Sequence, residues 1–144
     1  MNYILIGVTV VVVVVLLVAC APLLQRSTQS PANVAATASA VTVKAITPAE
    51  AKKRLESEQG IVVLDVRAAA EYAQGHIKGS VLLPVDNIVA EAQAKLPDKN
   101  AVLFVYCRTG RRSAIAAAAL VKMGYTQVYN LGGIIDWPYE VVKN

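Results

Sequence analysis

Two blocks of nearly unbroken aliphatic and aromatic positions stand out beyond residue 60, Ile61-Val62-Val63-Leu64-Asp65-Val66 and Ala101 to Tyr106. Blocks of that length, rich in β-branched residues, predict strands covered on both faces, as in a parallel sheet. The polar segments around them carry helix punctuation. Thr47-Pro48-Ala49-Glu50 is a capping box with proline at the first helical position, and predicts a helix to about Ser57. Ala69 to Ala73 reads as a short helix stopped at Gly75, Asn87 to Leu96 as a helix closed by Pro97, and Ser113 to Met123 as an alanine-rich helix capped by Gly124. Shorter strand candidates are Val41 to Ile46, Ser80 to Leu83 (stopped at Pro84) and, last, Val128 to Asn130. Strands alternating with helices predict an α/β domain over residues 45–144, with helices on both faces of a central parallel sheet.

The first third of the chain is patterned differently. Ile4 to Ala19 is an apolar run containing six consecutive valines, Val10 to Val15, and no charged side chain occurs from Met1 to Gln25. The run ends in Leu17-Val18-Ala19-Cys20, which resembles a bacterial lipobox: small residues admit the peptidase and the thiol carries the lipid. Residues 1–20 are therefore expected to be a signal peptide with Cys20 as the lipidation site. An uncleaved membrane anchor is the alternative, because Tyr3 to Leu24 reaches the roughly 20 residues needed to span a bilayer; an ordinary cleaved signal is a third. Residues 21–44, rich in Ala, Ser, Thr, Gln and Pro, read as a flexible tether. All three readings place the domain outside the cytoplasm or at a membrane.

From Ala45 onward there are 12 Lys and Arg against 10 Asp and Glu, a net of +2, which argues against nucleic acid as a partner. The basic residues cluster locally instead: Arg108, Arg111 and Arg112 fall within five positions and point to a small anion. The two cysteines, Cys20 and Cys107, lie in segments of different kinds, so no disulfide is expected. With His76 the only histidine, no metal site and no cofactor is expected either.

Tyr106-Cys107-Arg108-Thr109-Gly110-Arg111-Arg112-Ser113 joins a predicted buried strand to a helix start. Ligands of open α/β sheets bind at the carboxyl ends of strands, and a helix start offers unpaired N–H groups and partial positive charge. A free thiol is only about 3% thiolate at pH 7, and this setting should raise that fraction. Three guanidiniums add to the effect and can hold an oxyanion against the sulfur, while Gly110 permits the tight turn.

Cys-Arg-Thr-Gly-Arg-Arg-Ser resembles the active-site loop of the rhodanese family, the thiosulfate sulfurtransferases. Leu64-Asp65-Val66-Arg67, Glu71-Tyr72 and Gly75-His76-Ile77-Lys78-Gly79-Ser80 resemble one family signature. Gly124-Tyr125, Val128-Tyr129-Asn130-Leu131-Gly132-Gly133 and Trp137 resemble another. The resemblance implies a three-layer α/β/α sandwich around a five-stranded parallel sheet, with Cys107 at the end of a central strand. It implies that Cys107 takes the outer sulfur of thiosulfate as a persulfide, expels sulfite, and passes the sulfur to cyanide or a thiol. Arg108, Thr109, Gly110, Arg111 and Arg112 would bind the donor, with Asp65 and Ser113 behind them. The domain is expected to act as a monomer.

The remaining residues divide between structural and chemical readings. His76 is expected in a structural turn rather than beside Cys107. Asp65 either bonds loop amides or caps the turn after its strand. Arg67 and Glu71, four apart, are expected to pair with each other. Trp137 is expected in the core, with contact to the pocket rim as the alternative. Three other functions use similar parts. A phosphatase or arsenate reductase on the same fold needs an arginine six positions after the cysteine, where this chain has Ser113. An inactive binding module would lack the cysteine. A sulfur-carrier or redox module would use the same residues as the enzyme.

Overall fold

The structure is a computed structural model and describes residues 41–143. The apolar run, Cys20 and the tether up to residue 40 lie outside the described residues. Among the described residues there are four α-helices: α1 (Pro48–Ser57), α2 (Ala69–Gln74), α3 (Ile88–Lys95) and α4 (Arg111–Lys122). The strands are β1 (Lys44–Ala45), β2 (Val62–Asp65), β3 (His76–Ile77), β4 (Val81–Leu82), β5 (Val102–Cys107), β6 (Gln127–Gly133) and β7 (Val141–Val142). Among the described residues no helix is long and apolar enough to cross a membrane.

Five strands form one parallel sheet in the order β1-β6-β5-β2-β4, so β5 is the middle strand. Its unbroken apolar sequence serves two cores. Leu103, Val105 and Cys107 face a cluster built with α3 and α4, which contribute Ile88, Ala92, Ala116, Ala117 and Leu120. Phe104 and Tyr106 face the opposite cluster, with Ala51 of α1, Ile46, Val63, Ile77 and Leu131. A strand with two dry faces has no polar positions to alternate, hence the block pattern. The spacing Ser113, Ala116, Ala117, Leu120 is the buried stripe of α4, and its alanines let the helix lie close on the sheet.

The helices follow their sequence signals closely. Thr47 Oγ1 accepts from the Glu50 N–H at 3.2 Å to cap α1. Gly124, at φ +93°, ends α4, where the Tyr125 N–H returns to the Leu120 carbonyl at 3.1 Å. α4 starts two residues before Ser113, because Gly110 adopts φ +94° as its N-cap. The larger departures are in the strands. β1 is only two residues long. β6 does not stop at Asn130 but continues to Gly133, with a bulge: Val105 pairs with Asn130 and Tyr106 with Gly132, so Leu131 is skipped. A second sheet, the antiparallel pair β3 and β7, is also present and has no counterpart among the sequence-predicted strands.

Candidate active site

Cys107 is the last residue of β5, at the carboxyl edge of the sheet, and the chain turns there into the N-terminus of α4. The Gly110 N–H donates to Cys107 Sγ at 3.1 Å. The thiol is 1% exposed. Burial pushes its pKa up. The N–H groups of Ser113, Thr109 and Gly110 pull the other way and prevail, so the pKa lies below the ordinary thiol value. The loop thus turns backbone N–H groups toward one sulfur, with the Gly110 N–H in direct hydrogen-bond contact, and this favours negative charge on it.

That loop is held from β6. Ser113 Oγ, fully buried, lies 2.8 Å from Asn130 Oδ1 and 2.9 Å from the Gly110 carbonyl, and its single proton goes to one of them. Asn130 Oδ1 also accepts from the Gly132 N–H at 3.1 Å, which fixes the bulge. Gly133 lies directly under the loop: a Cβ there would stand 2.6 Å from the Arg108 carbonyl oxygen and 2.8 Å from Thr109 Cα. Only a residue without a side chain allows that approach.

The three arginines differ in setting. Arg108 and Arg111 are exposed, and among the described residues neither has an ion pair. Arg112 is half-buried and makes a bidentate pair with Glu71 of α2, at 2.7 and 2.8 Å. That pair holds the Glu71 carboxyl at about 2. In turn Glu71 and, more weakly, Cys107 raise the Arg112 pKa, which places the guanidinium within electrostatic reach of the thiolate. A cleft of about 420 Å³ opens beside the loop, with Arg108 and Glu71 in its lining.

The profile of the Rhodanese-like domain family matches residues 47–139. The chain belongs to the rhodanese-like family. The thiosulfate sulfurtransferase PspE of Escherichia coli (strain K12) is 39% identical over 80 residues, covering 56% of this chain and 77% of that protein. A sulfurtransferase of Allochromatium vinosum is 38% identical over 86 residues, covering 59% and 78%. A solved E. coli structure described as a rhodanese with anions superposes with a TM-score of 0.56 at 37% identity, covering 58% of this chain and 99% of that one. The sheet and its flanking helices are those of the rhodanese fold. Sulfur transfer is the general activity that these likenesses support.

Within this rhodanese-like domain, several sequence-predicted residues take up other partners. Arg67 does not pair with Glu71. It precedes α2, so the two are not one helical turn apart, and its buried guanidinium binds Asp65 instead, with Nη2 to Oδ2 at 2.6 Å and a further bond to the Gly75 carbonyl at 2.7 Å. Asp65 also accepts the Arg67 N–H at 2.9 Å, so it caps the turn after β2; among the described residues it makes no bond to the cysteine loop. His76 is buried, stacked on Tyr72 at 3.7 Å between ring centroids, with Nδ1 3.0 Å from the Tyr72 carbonyl oxygen. Its place is structural. Trp137 packs on the α1-side cluster but is only half-buried, and it lines the cleft as well, so both of its expected roles are present. Its Nε1 is buried with no partner among the described residues. A second cleft of about 290 Å³ lies on the α1 side of Trp137, lined by Lys52 and Leu55, and does not include the cysteine loop.

Sequence reasoning did not single out Asn130, Gly133 as a close-approach position, or the Glu71–Arg112 pair. The first two were visible as a motif without a role. The pair spans 41 positions and leaves no local pattern. Among the described residues there is no cluster of His, Cys, Asp and Glu that could hold a metal ion.

Proposed function

We propose that the protein is a thiosulfate sulfurtransferase that works through a persulfide on Cys107. The observation that carries the reading is Cys107 at the carboxyl end of β5 with the Gly110 N–H donating to its Sγ at 3.1 Å, beside the exposed Arg108 and Arg111. The thiolate attacks the outer sulfur of thiosulfate. A sulfur–sulfur bond forms at Cys107, the bond within thiosulfate breaks, and its electron pair leaves on sulfite. Arg108 and Arg111 bind the sulfonate end and favour the charge that develops on it. The loop N–H groups then hold the anionic persulfide until an acceptor removes the sulfur. In this reading no general base is invoked, since the setting lowers the thiol pKa and favours the thiolate.

Intact-mass measurement after thiosulfate treatment tests this directly. Cys107 should gain one sulfur atom, and cyanide should then release it as thiocyanate. Cys107→Ser should do neither, because a hydroxyl stays protonated and forms no persulfide. A persulfide that cyanide and thiols cannot discharge, but a protein can, would instead favour a carrier. Hydrolysis of aryl phosphates by the unmodified protein would favour the phosphatase reading.

The place of action we propose is outside the cytoplasmic membrane, with the mature chain beginning at a diacylated Cys20. Two acyl chains give stable anchoring where one is marginal. Cys20→Ser should leave an uncleaved, unlabelled precursor; indifference to the change would favour a transmembrane anchor.

A further inference from the structure

Four oxygens meet where the cysteine loop enters α4, and the Ser113 hydroxyl is the only donor among them. Ser113 Oγ stands 2.8 Å from Asn130 Oδ1, 2.9 Å from the Gly110 carbonyl oxygen and 3.3 Å from the Gly132 carbonyl oxygen. The orientation of the Asn130 amide is fixed without reference to Ser113. The Gly132 N–H faces it at 3.1 Å, and a donor there requires the carboxamide oxygen opposite. That oxygen is also the nearest acceptor to the Ser113 hydroxyl, so the proton goes to it. The Gly110 carbonyl keeps the Ala114 N–H, at 3.1 Å, as its donor. Asn130 therefore accepts from two sides at once. One bond comes from two residues further along its own strand, across the bulge of β6, and the other from the first turn of α4. Ser113 is fully buried, and among the described residues Asn130 supplies the only side chain that ties it to another element. A leucine at this place would accept from neither group.

We propose that Asn130 is a positioning residue for Cys107: its side-chain oxygen ties the first turn of α4 to the bulge of β6 and so keeps the loop amides directed at Sγ. The proposal rests on the persulfide reading for its purpose, and adds a residue outside the cysteine loop on which that chemistry depends. Among the described residues Asn130 makes no hydrogen bond to Cys107, so it acts through Ser113, whose own N–H is one of the groups that favour charge on the sulfur. Hydrogen bonds weaken steeply with angle, so amides tilted away from Sγ stabilise a thiolate less. The charged groups on the loop and on the elements around it are Arg108, Arg111, the Glu71–Arg112 pair, the Asp65–Arg67 pair and Asp136. Asn130 is uncharged, and replacing it by alanine keeps every one of them. A change in the ionisation of Cys107 would then report on the amides.

The test is the pH profile of iodoacetamide alkylation on the whole chain, read by mass on the peptide that contains Cys107. Asn130→Ala should raise the midpoint by about one pH unit, which is about tenfold less thiolate at any pH well below it. Ser113→Ala breaks the same bond from the other side while keeping the Ser113 position's N–H, and should move the midpoint in the same direction. The double variant should move it no further than Asn130→Ala does, because the two side chains act as one link. Val63→Ala removes volume from the opposite core, away from the loop, and is the control for lost stability; its midpoint should stay at the wild-type value. An unchanged midpoint in either single variant, full additivity in the double variant, or an equal shift in Val63→Ala would overturn the proposal. Should Asn130→Ala fail to fold, Ser113→Ala against the control decides alone. Alkylation needs no sulfur donor, so the persulfide reading is judged separately: a wild type that takes up no sulfur from thiosulfate overturns that reading, whatever the midpoints show.

Discussion

Cys107 combines burial with acidity, two properties that normally oppose each other. Burial alone would keep the thiol protonated; the amides of Ser113, Thr109 and Gly110 reverse the balance. Reactivity should therefore follow a thiol titrating below its ordinary range, which iodoacetamide alkylation against pH would read. Arg112 contributes a positive charge nearby, so Arg112→Gln should move the midpoint to higher pH. An unchanged midpoint would leave the amides as the sole source of the acidity. Arg108→Ala should act differently, on donor binding rather than ionisation. Losing a charge-assisted contact of about 1.5–3 kcal/mol should weaken thiosulfate binding roughly 10- to 150-fold, with the alkylation profile unmoved. Steady-state kinetics on the two variants should therefore separate the roles of neighbouring arginines that the sequence presents as a single cluster.

At the scale of elements, the loop owes its shape to β6 as much as to β5. Gly133→Ala should drive a methyl group into the Arg108 carbonyl and Thr109 Cα. Backbone cannot step aside as a side chain can, so the loop must shift. Catalytic efficiency should fall about 10-fold or more (about 1.4 kcal/mol at least) while the far-ultraviolet spectrum stays unchanged. Activity within twofold of wild type would mean that the loop tolerates displacement. This dependence also marks the limit of what the sequence discloses. The block pattern of β2 and β5, the Thr47 cap, the Gly124 stop and the strand–loop–helix carrying Cys107 are local signals, and all can be read directly. Leu131-Gly132-Gly133 reads locally as the end of a strand, whereas the structure uses it as a bulge sliding beneath another loop. β3 and β7 are two residues each, too short to display a period. Arg67 and Glu71 have helical spacing but not a shared helix, and their true partners, Asp65 and Arg112, are set by tertiary packing.

Across the domain, two ion pairs differ in setting and in what they hold. Asp65–Arg67 is buried at the carboxyl edge of the sheet, with side-chain exposures of 0% and 6%. Asp65→Leu would strand a guanidinium, and urea unfolding should show a loss of about 3–5 kcal/mol; adding Arg67→Met should recover much of it. Glu71–Arg112 joins α2 to α4 near the surface. Its carboxyl is depressed from 4.5 to about 2 in the folded state, so its contribution is complete above pH about 4.5 and fades as pH falls toward 2. Glu71→Gln should accordingly flatten the acid limb of a stability profile over that window and leave its slope near neutrality unchanged. The C-terminal segment is secured more lightly. β7 meets β3 through two residue pairs, His76 with Val142 and Ile77 with Val141, and Val141 also lines the cleft. So brief a pairing opens at a fraction of the global unfolding free energy. In amide hydrogen exchange, Val141 and Val142 should therefore lose protection long before Phe104 or Val105. One wall of the cleft can then swing away and return while the cysteine cradle stays folded, so the cleft can widen without melting the sheet.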